Sequence, residues 1–205
     1  SQLLIATNNT GKIVEIQNAL ADLPLYFRHL NEFPAIKPIE ESGTTYEENA
    51  ILKAAEYAQA TGLMSLADDS GLEVDALGGR PGVHTARYAG ASASDEERIL
   101  RLLAELNQQA ISERAATFVS CVALFGVMDG KSRLLNVTRG ECSGTIANEA
   151  RGSNGFGYDP IFIPEGYGAT FAQLSNETKQ RISHRAIALR AMREFLKRYL
   201  LKLDR

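Results

Sequence analysis

The stretch MSLADDSG, residues 64–71, constrains the fold more than any other part of the chain. An apolar run ends there in two adjacent carboxylates, Asp68 and Asp69, followed by a hydroxyl and a glycine. Like charges side by side where a buried strand meets a loop cost stability, so the rest of the chain must supply something that offsets them. Asp, Ser and Gly are all turn formers, and from these residues alone a turn and a metal site are equally open readings. Adjacent strand residues point to opposite faces, so one carboxylate is expected to face a site while the other caps or braces the loop.

Around that stretch, strand and helix signals alternate. Residues 2–7 read as a short buried strand and 7–11 as a polar turn, after which Lys12 opens a helix with Ile13, Ile16 and Leu20 on one apolar face. Pro34 and Pro38 bracket a loop that runs through Glu40, Glu41, Ser42 and Gly43. Thr45 and Glu48 have the spacing of a capping box and start a helix to about Thr61, stopped by Gly62. Residues 63–67 form a second buried strand leading into the acidic pair. Gly78, Gly79, Pro81 and Gly82 then make a loop, and Ser94 with Glu97 caps a helix lined by Ile99, Leu102 and Leu106. Residues 117–125 are β-branched and aromatic, with a hairpin turn centred on Asp129-Gly130. Residues 134–138 return from it, and 140–146 read as a third antiparallel strand. A glycine-rich loop over 151–159 precedes a helix from about Asn176, bent near Ser183. This order predicts an α/β sheet with both parallel and antiparallel neighbours.

Composition narrows the function classes. At 205 residues the chain can build one sizeable core or two small lobes, and no repeat or composition break forces a division. Net charge is −3 and no long basic run precedes the C-terminal helix, which argues against a partner as polyanionic as duplex nucleic acid. Cys121 and Cys142 lack C-x-x-C spacing and read as buried free thiols, and three histidines offer no zinc cluster. No apolar run approaches the ~20 residues that span a bilayer. SQLLIATNN turns polar too soon for a signal peptide, so the expected location is the cytoplasm.

Several segments could carry chemistry. Ala6 to Lys12, ATNNTGK, runs from strand to helix, where backbone N–H groups and a lysine can cradle an anion, although an Asn-rich turn there can equally be a simple cap. It is no Walker A loop, which needs Gly at position 6 and Ser or Thr at position 13. Glu40-Glu41 is either solvated surface or, if it meets Asp69, part of a magnesium seat. Such a seat takes one or two carboxylates and leaves the other positions to water and phosphate oxygens. Glycines flank Phe156, so its ring can be a stacking face for a nucleobase or a plug for the loop. Lys179, His184 and Arg185 are either ordinary helix charges or part of a site.

Taken together and in this order, ATNNTGK, EESGTTYEENAILKA, ADDSGLEVDALGGRPGVHTARYAG, GSNGFGYDPIF and K-x-x-x-SHRAIAL resemble the inosine triphosphate pyrophosphatase (Ham1-like) family, bacterial type. The resemblance implies an elongated α/β fold, a long central mixed sheet with helices, and two lobes forming a cleft, within one domain over 1–205. The Maf-like pyrophosphatases of modified pyrimidine nucleotides share that architecture and are the rival reading. It also implies a homodimer that hydrolyses ITP, dITP and XTP to the monophosphate and pyrophosphate with Mg²⁺, without nucleic acid or membrane as partner. Carried over, Asp69 is the catalytic base, with Lys12 and Lys53 as phosphate-side cations. Thr7, Asn8, Asn9, Thr10 and Gly11 border the phosphates, and Ser70 borders the substrate. Phe156, Gly157, Tyr158, Asp159, Lys179, His184 and Arg185 form the base pocket. Asp69 and one of Glu40 and Glu41 hold the metal, Glu41 being favoured by its distance from Lys53. Asn8 stands where many members have Gly, and Tyr158 where some have Trp.

Overall fold

Asn9 starts the first helix by a local contact: its side-chain oxygen accepts the N–H of Lys12 at 3.0 Å. The computed structural model describes residues 1–108 and 112–203. Strand β1 (Gln2–Ile5) leads through that cap into helix α1 (Thr10–Ala19), and strand β2 (Tyr26–His29) returns parallel to β1, with Leu3 opposite Phe27. Helix α2 (Tyr46–Thr61) has the expected capping box. The Thr45 hydroxyl accepts from Glu48 N and the Glu48 side chain accepts from Thr45 N, while Gly62, at φ 71°, closes the other end. Strand β3 (Met64–Val74) then pairs parallel with the other edge of β1, Ile5 opposite Leu66. β1 thus lies between β2 and β3, and the strand order reverses at its carboxyl end, the usual position of a ligand site in an open α/β sheet.

β4 (Arg80–Pro81) lies antiparallel to the end of β3. Helix α3 (Asp95–Gln108) begins at the second expected cap, Ser94 with Glu97. β5 (Ala115–Met128) and β6 (Lys131–Ile146) are joined by Asp129 and Gly130, at φ 53° and 72°, the left-handed pair that a two-residue hairpin turn requires. β7 (Phe162–Pro164) lies antiparallel to the end of β6, and the sheet is seven-stranded, ordered β2-β1-β3-β5-β6-β7 with β4 beside β3. Helices α4 (Asn176–Ile182) and α5 (His184–Leu203) are separated at Ser183, whose extended backbone breaks the helix where a bend was expected. The mixed α/β sheet expected from the sequence is present.

Two local expectations are corrected. Asp68-Asp69-Ser70-Gly71 is no turn, because β3 continues through all four residues to Val74. Residues 140–146 are no third strand but the second half of β6, since Gly140 weakens a ladder without ending it.

The chain forms two compact units. Unit 1 comprises Ser1–Asp69, Ser120–Gly140 and the chain from Arg185 onward; unit 2 comprises Ser70–Val119 and Glu141–His184. Unit 1 has its own core, in which Leu3, Ile5, Ile16, Leu66, Leu124 and Met192 are buried. Unit 2 packs around Leu72, Leu102, Phe118, Ile161, Phe162 and Phe171. Cys121 and Cys142 are buried free thiols. Among the described residues no helix is long and apolar enough to cross a membrane.

Candidate active site

In unit 1, both carboxylates of β3 are buried, Asp68 at 1% and Asp69 at 6% exposure. Neither survives burial alone, and each has its own partners. Lys12, from the first turn of α1, places Nζ 2.7 Å from Asp68 Oδ2. Arg185 Nη2, from the start of α5, lies 3.4 Å from the same oxygen, and its Nη1 donates to Glu15 Oε2 at 2.5 Å. The Ser120 hydroxyl donates to Asp68 Oδ1 at 2.5 Å. Burial alone would raise the Asp68 carboxyl, but Arg185 and Lys12 overcome it and hold it well below the usual carboxylate range.

Asp69 is treated differently. Lys53 Nζ, from α2, donates to Asp69 Oδ1 at 3.2 Å, to Glu41 Oε1 at 2.8 Å and to the Asp68 carbonyl at 2.9 Å. The other carboxylate oxygen, Asp69 Oδ2, is buried with no hydrogen-bond partner. Burial raises the Asp69 carboxyl, Lys53 and Lys12 only partly offset it, and the nearby charges of Glu41 and Asp68 add to the rise. Lys53 also moves up: burial works against its charge, but Asp69 and Glu41 together outweigh burial. The two shifts are compatible, because Lys53 meets two carboxylates while Asp69 meets one bonded ammonium and two like charges. Lys12 shifts down, since burial costs its ammonium more than Asp68 returns.

The 7–11 segment forms the junction between β1 and α1. Thr7 Oγ1 accepts from Asn9 N at 3.2 Å, and the Ala6 N–H bonds the Leu66 carbonyl, tying the junction to β3. Asn8, Asn9 and Thr10 are exposed, and Gly11 is half-buried. Of the two glutamates it is Glu41 that meets Lys53, whereas Glu40 is exposed. The donor set suits a small hard cation: two carboxylates joined by one lysine, one of which keeps a buried oxygen uncommitted.

Unit 2 holds a second lysine–aspartate pair. Lys179 Nζ donates to Asp159 Oδ2 at 2.6 Å and lies 4.5 Å from the centroid of the Phe156 ring. Asp159 Oδ2 also accepts from Phe156 N at 2.9 Å, and Gly157 N donates to Asp95 Oδ2 at 2.7 Å. Phe156, Asp159 and Lys179 are therefore joined by short contacts, Gly157 is tied to Asp95 of α3, and Phe156 lines a cavity of about 690 Å³ between α3 and the 148–160 loop. His184 stacks on Phe118 at 4.6 Å. Tyr158 is in the core with its hydroxyl on the Thr85 carbonyl, so it offers no open stacking face. Ser70 is half-buried in β3.

Sequence reasoning missed Glu15, which accepts from Arg185, Ser120, which donates to Asp68, and Asn49, which accepts the Gly43 N–H of the loop that carries Glu41. Each had a faint signal. Glu15 follows Lys12 by one helical turn, Asn49 precedes Lys53 by one, and Ser120 interrupts an apolar strand.

Comparison with known proteins points the same way. The family model of the Ham1 family matches residues 3–195. A dITP/XTP pyrophosphatase of Bacillus anthracis is 43% identical over 201 residues, covering 98% of each chain. One from Geobacter sulfurreducens is 45% identical over 196 residues, covering 96% of each. Among solved structures, a Ham1 protein from Coxiella burnetii superposes with a TM-score of 0.86 at 42% identity, over 96% of this chain and 98% of that one.

Proposed function

Because the chain belongs to the Ham1 family, we propose that it hydrolyses deaminated purine nucleoside triphosphates, dITP, XTP and ITP, to the monophosphate and pyrophosphate. The observation that carries the reaction class is the state of Asp69. Its buried carboxylate has one oxygen on Lys53 and the other without a partner, and its proton affinity is raised. A carboxylate with a free oxygen and a raised proton affinity is suited to take a proton from water.

In the proposed reaction, water attacks the α-phosphorus and its proton passes to Asp69 Oδ2. The bond from that phosphorus to the bridging oxygen breaks, and pyrophosphate leaves with the electron pair. Lys12 and Lys53 offset the charge of the phosphate oxygens, and Asp68, itself held by Ser120 and Arg185, holds Lys12 for that task. Backbone N–H groups over 7–11, at the start of α1, are suited to an anion. Glu41 and Asp69 would hold Mg²⁺, which when bound neutralises phosphate-oxygen charge.

Base recognition is assigned to Phe156, Asp159, Lys179 and His184 in unit 2. Deaminated purines present a 6-keto acceptor where adenine presents a 6-amino donor, so a buried donor such as Lys179 favours the former. Arg185 was expected to read the base; its contacts with Glu15 and Asp68 fit a role in supporting the phosphate-side cations instead. Homodimer assembly, a cytoplasmic location and a single two-lobed domain over 1–205 belong to the same proposal.

The test is product release, measured with and without coupled inorganic pyrophosphatase, from ITP, dITP, XTP, GTP, ATP and modified pyrimidine triphosphates. Deaminated purines are expected to exceed ATP in kcat/KM by up to ~10⁴-fold, as a hydrogen-bonding pocket allows. Equal turnover of ATP, preference for the pyrimidines, or release of phosphate in place of pyrophosphate would overturn the assignment.

A further inference from the structure

The loop that carries Glu41 is held along one face of α2. Asn49, Lys53 and Tyr57 are spaced four residues apart and therefore stand on the same side of that helix. Each takes an alternate loop residue: Asn49 Oδ1 accepts Gly43 N–H at 2.8 Å, Lys53 Nζ donates to Glu41 at 2.8 Å, and the Tyr57 hydroxyl accepts Ile39 N–H at 3.4 Å. Each step of four residues along the helix is matched by two residues of the loop taken in the opposite direction, so the register holds across all three contacts.

The Asn49–Gly43 contact has the least freedom of the three. Asn49 is 1% exposed, so its amide is fixed by packing. A Cβ built on Gly43 would lie 2.7 Å from Asn49 Oδ1 and 2.8 Å from Glu48 Cβ. Glu48 cannot readily yield, because its carboxylate accepts from Thr44 N at 2.7 Å and from Thr45 N in the capping box. Glu41 itself is 35% exposed in its side chain and has one strong contact, Lys53. Its aim therefore depends on where the backbone two residues later is pinned.

We propose that Asn49 and Gly43 are positioning residues for Glu41, and that their close contact sets the reach of that carboxylate toward a divalent cation. The inference rests on the metal-holding role given to Glu41 above. Partners that orient a ligating carboxylate typically alter metal affinity by 10–100-fold when removed.

The experiment measures Mn²⁺ affinity of the full chain by calorimetry and by the electron-paramagnetic signal of free ion, without nucleotide. It compares wild type with Glu41→Gln, Asn49→Ala, Gly43→Ala and the Asn49→Ala/Gly43→Ala double variant. Gly43→Ala changes a loop residue and displaces the loop from Asn49 without removing a buried side chain, so it carries the test if Asn49→Ala does not fold. The expected result is about tenfold weaker binding in each single positioning variant and a double variant no weaker than the worse single one. Excess metal is expected to restore kcat in the positioning variants, which a merely structural loss would not allow. Weak binding in Glu41→Gln with wild-type affinity in both Asn49→Ala and Gly43→Ala would overturn the inference while leaving the metal role of Glu41 standing. Wild-type affinity in Glu41→Gln would overturn both.

Discussion

Asp68 and Asp69 are neighbours on one strand, yet unit 1 gives them opposite surroundings. Asp68 is met by Lys12, Arg185 and Ser120, and both of its oxygens are engaged. Asp69 has one oxygen on Lys53 and the other without a partner, beside the like charge of Glu41. The pleat makes this division available, since consecutive residues leave a strand on opposite faces. Burial alone therefore does not make a carboxylate reactive. With its counter-charges complete, a buried aspartate is a structural anion; left one partner short, it keeps a high proton affinity and a site for a proton or a cation.

The comparison breaks most visibly at Asp69. Asp69→Asn is expected to lower kcat on dITP by about 10²–10⁴-fold, the contribution of a general base. It should leave the unfolding midpoint unchanged or higher, because an unfavourable buried charge is removed. Steady-state kinetics beside thermal denaturation checks both halves; near-normal turnover would take the base role from Asp69.

Asp68→Asn is expected to do the reverse. It leaves Lys12 and Arg185 buried without their shared anion, and removing one partner of a buried pair costs about 3–5 kcal/mol. Urea denaturation reads the loss, and a cost under ~1 kcal/mol would show that the cations do not depend on Asp68. Ser120→Ala removes one hydrogen bond to the same charge and should cost about 1.5–3 kcal/mol by the same measurement. A null effect there would mean that Lys12 and Arg185 suffice.

The smallest effect is in the pH dependence, and its sign differs between the two residues. Asp68 has a folded-state value below that of the unfolded chain, about 3.9. Its stabilisation is present in full above that value and is lost as pH falls through the folded one. Asp69 has a raised folded value, so its contribution is complete below about pH 3.9 and is lost as pH rises through the folded one. The stability advantage of Asp69→Asn over wild type should therefore grow from pH 4 toward 7. The deficit of Asp68→Asn should shrink in acid. Denaturation midpoints across that range that move together in the two variants would contradict the division.

Local devices were legible in the sequence because their physics is local. The boxes at Thr45–Glu48 and Ser94–Glu97 and the Asp129-Gly130 turn each need only residues within a few positions, and all formed as expected. The course of β3 was not legible. Asp-Asp-Ser-Gly has turn chemistry, and only cations from distant segments, Lys12, Lys53 and Arg185, keep those residues extended and buried. Likewise Gly140 gave a break signal that the long ladder of β6 overrode. At the site, residue types were readable but pairings were not. Glu41 rather than Glu40 meets Lys53 because Gly43 and Ile39 fix the loop on α2, and Arg185 faces Glu15 across 170 positions of sequence.

The asymmetry of the doublet is tested most directly by a carbon-detected NMR titration of the two side-chain carboxyls in the wild-type protein. Asp69 is expected to titrate above the ordinary aspartate range, while Asp68 stays ionised until the protein unfolds in acid. If both titrate together, or if Asp69 titrates at or below the ordinary value, the two residues share one environment and Asp69 loses its claim to be the reactive one.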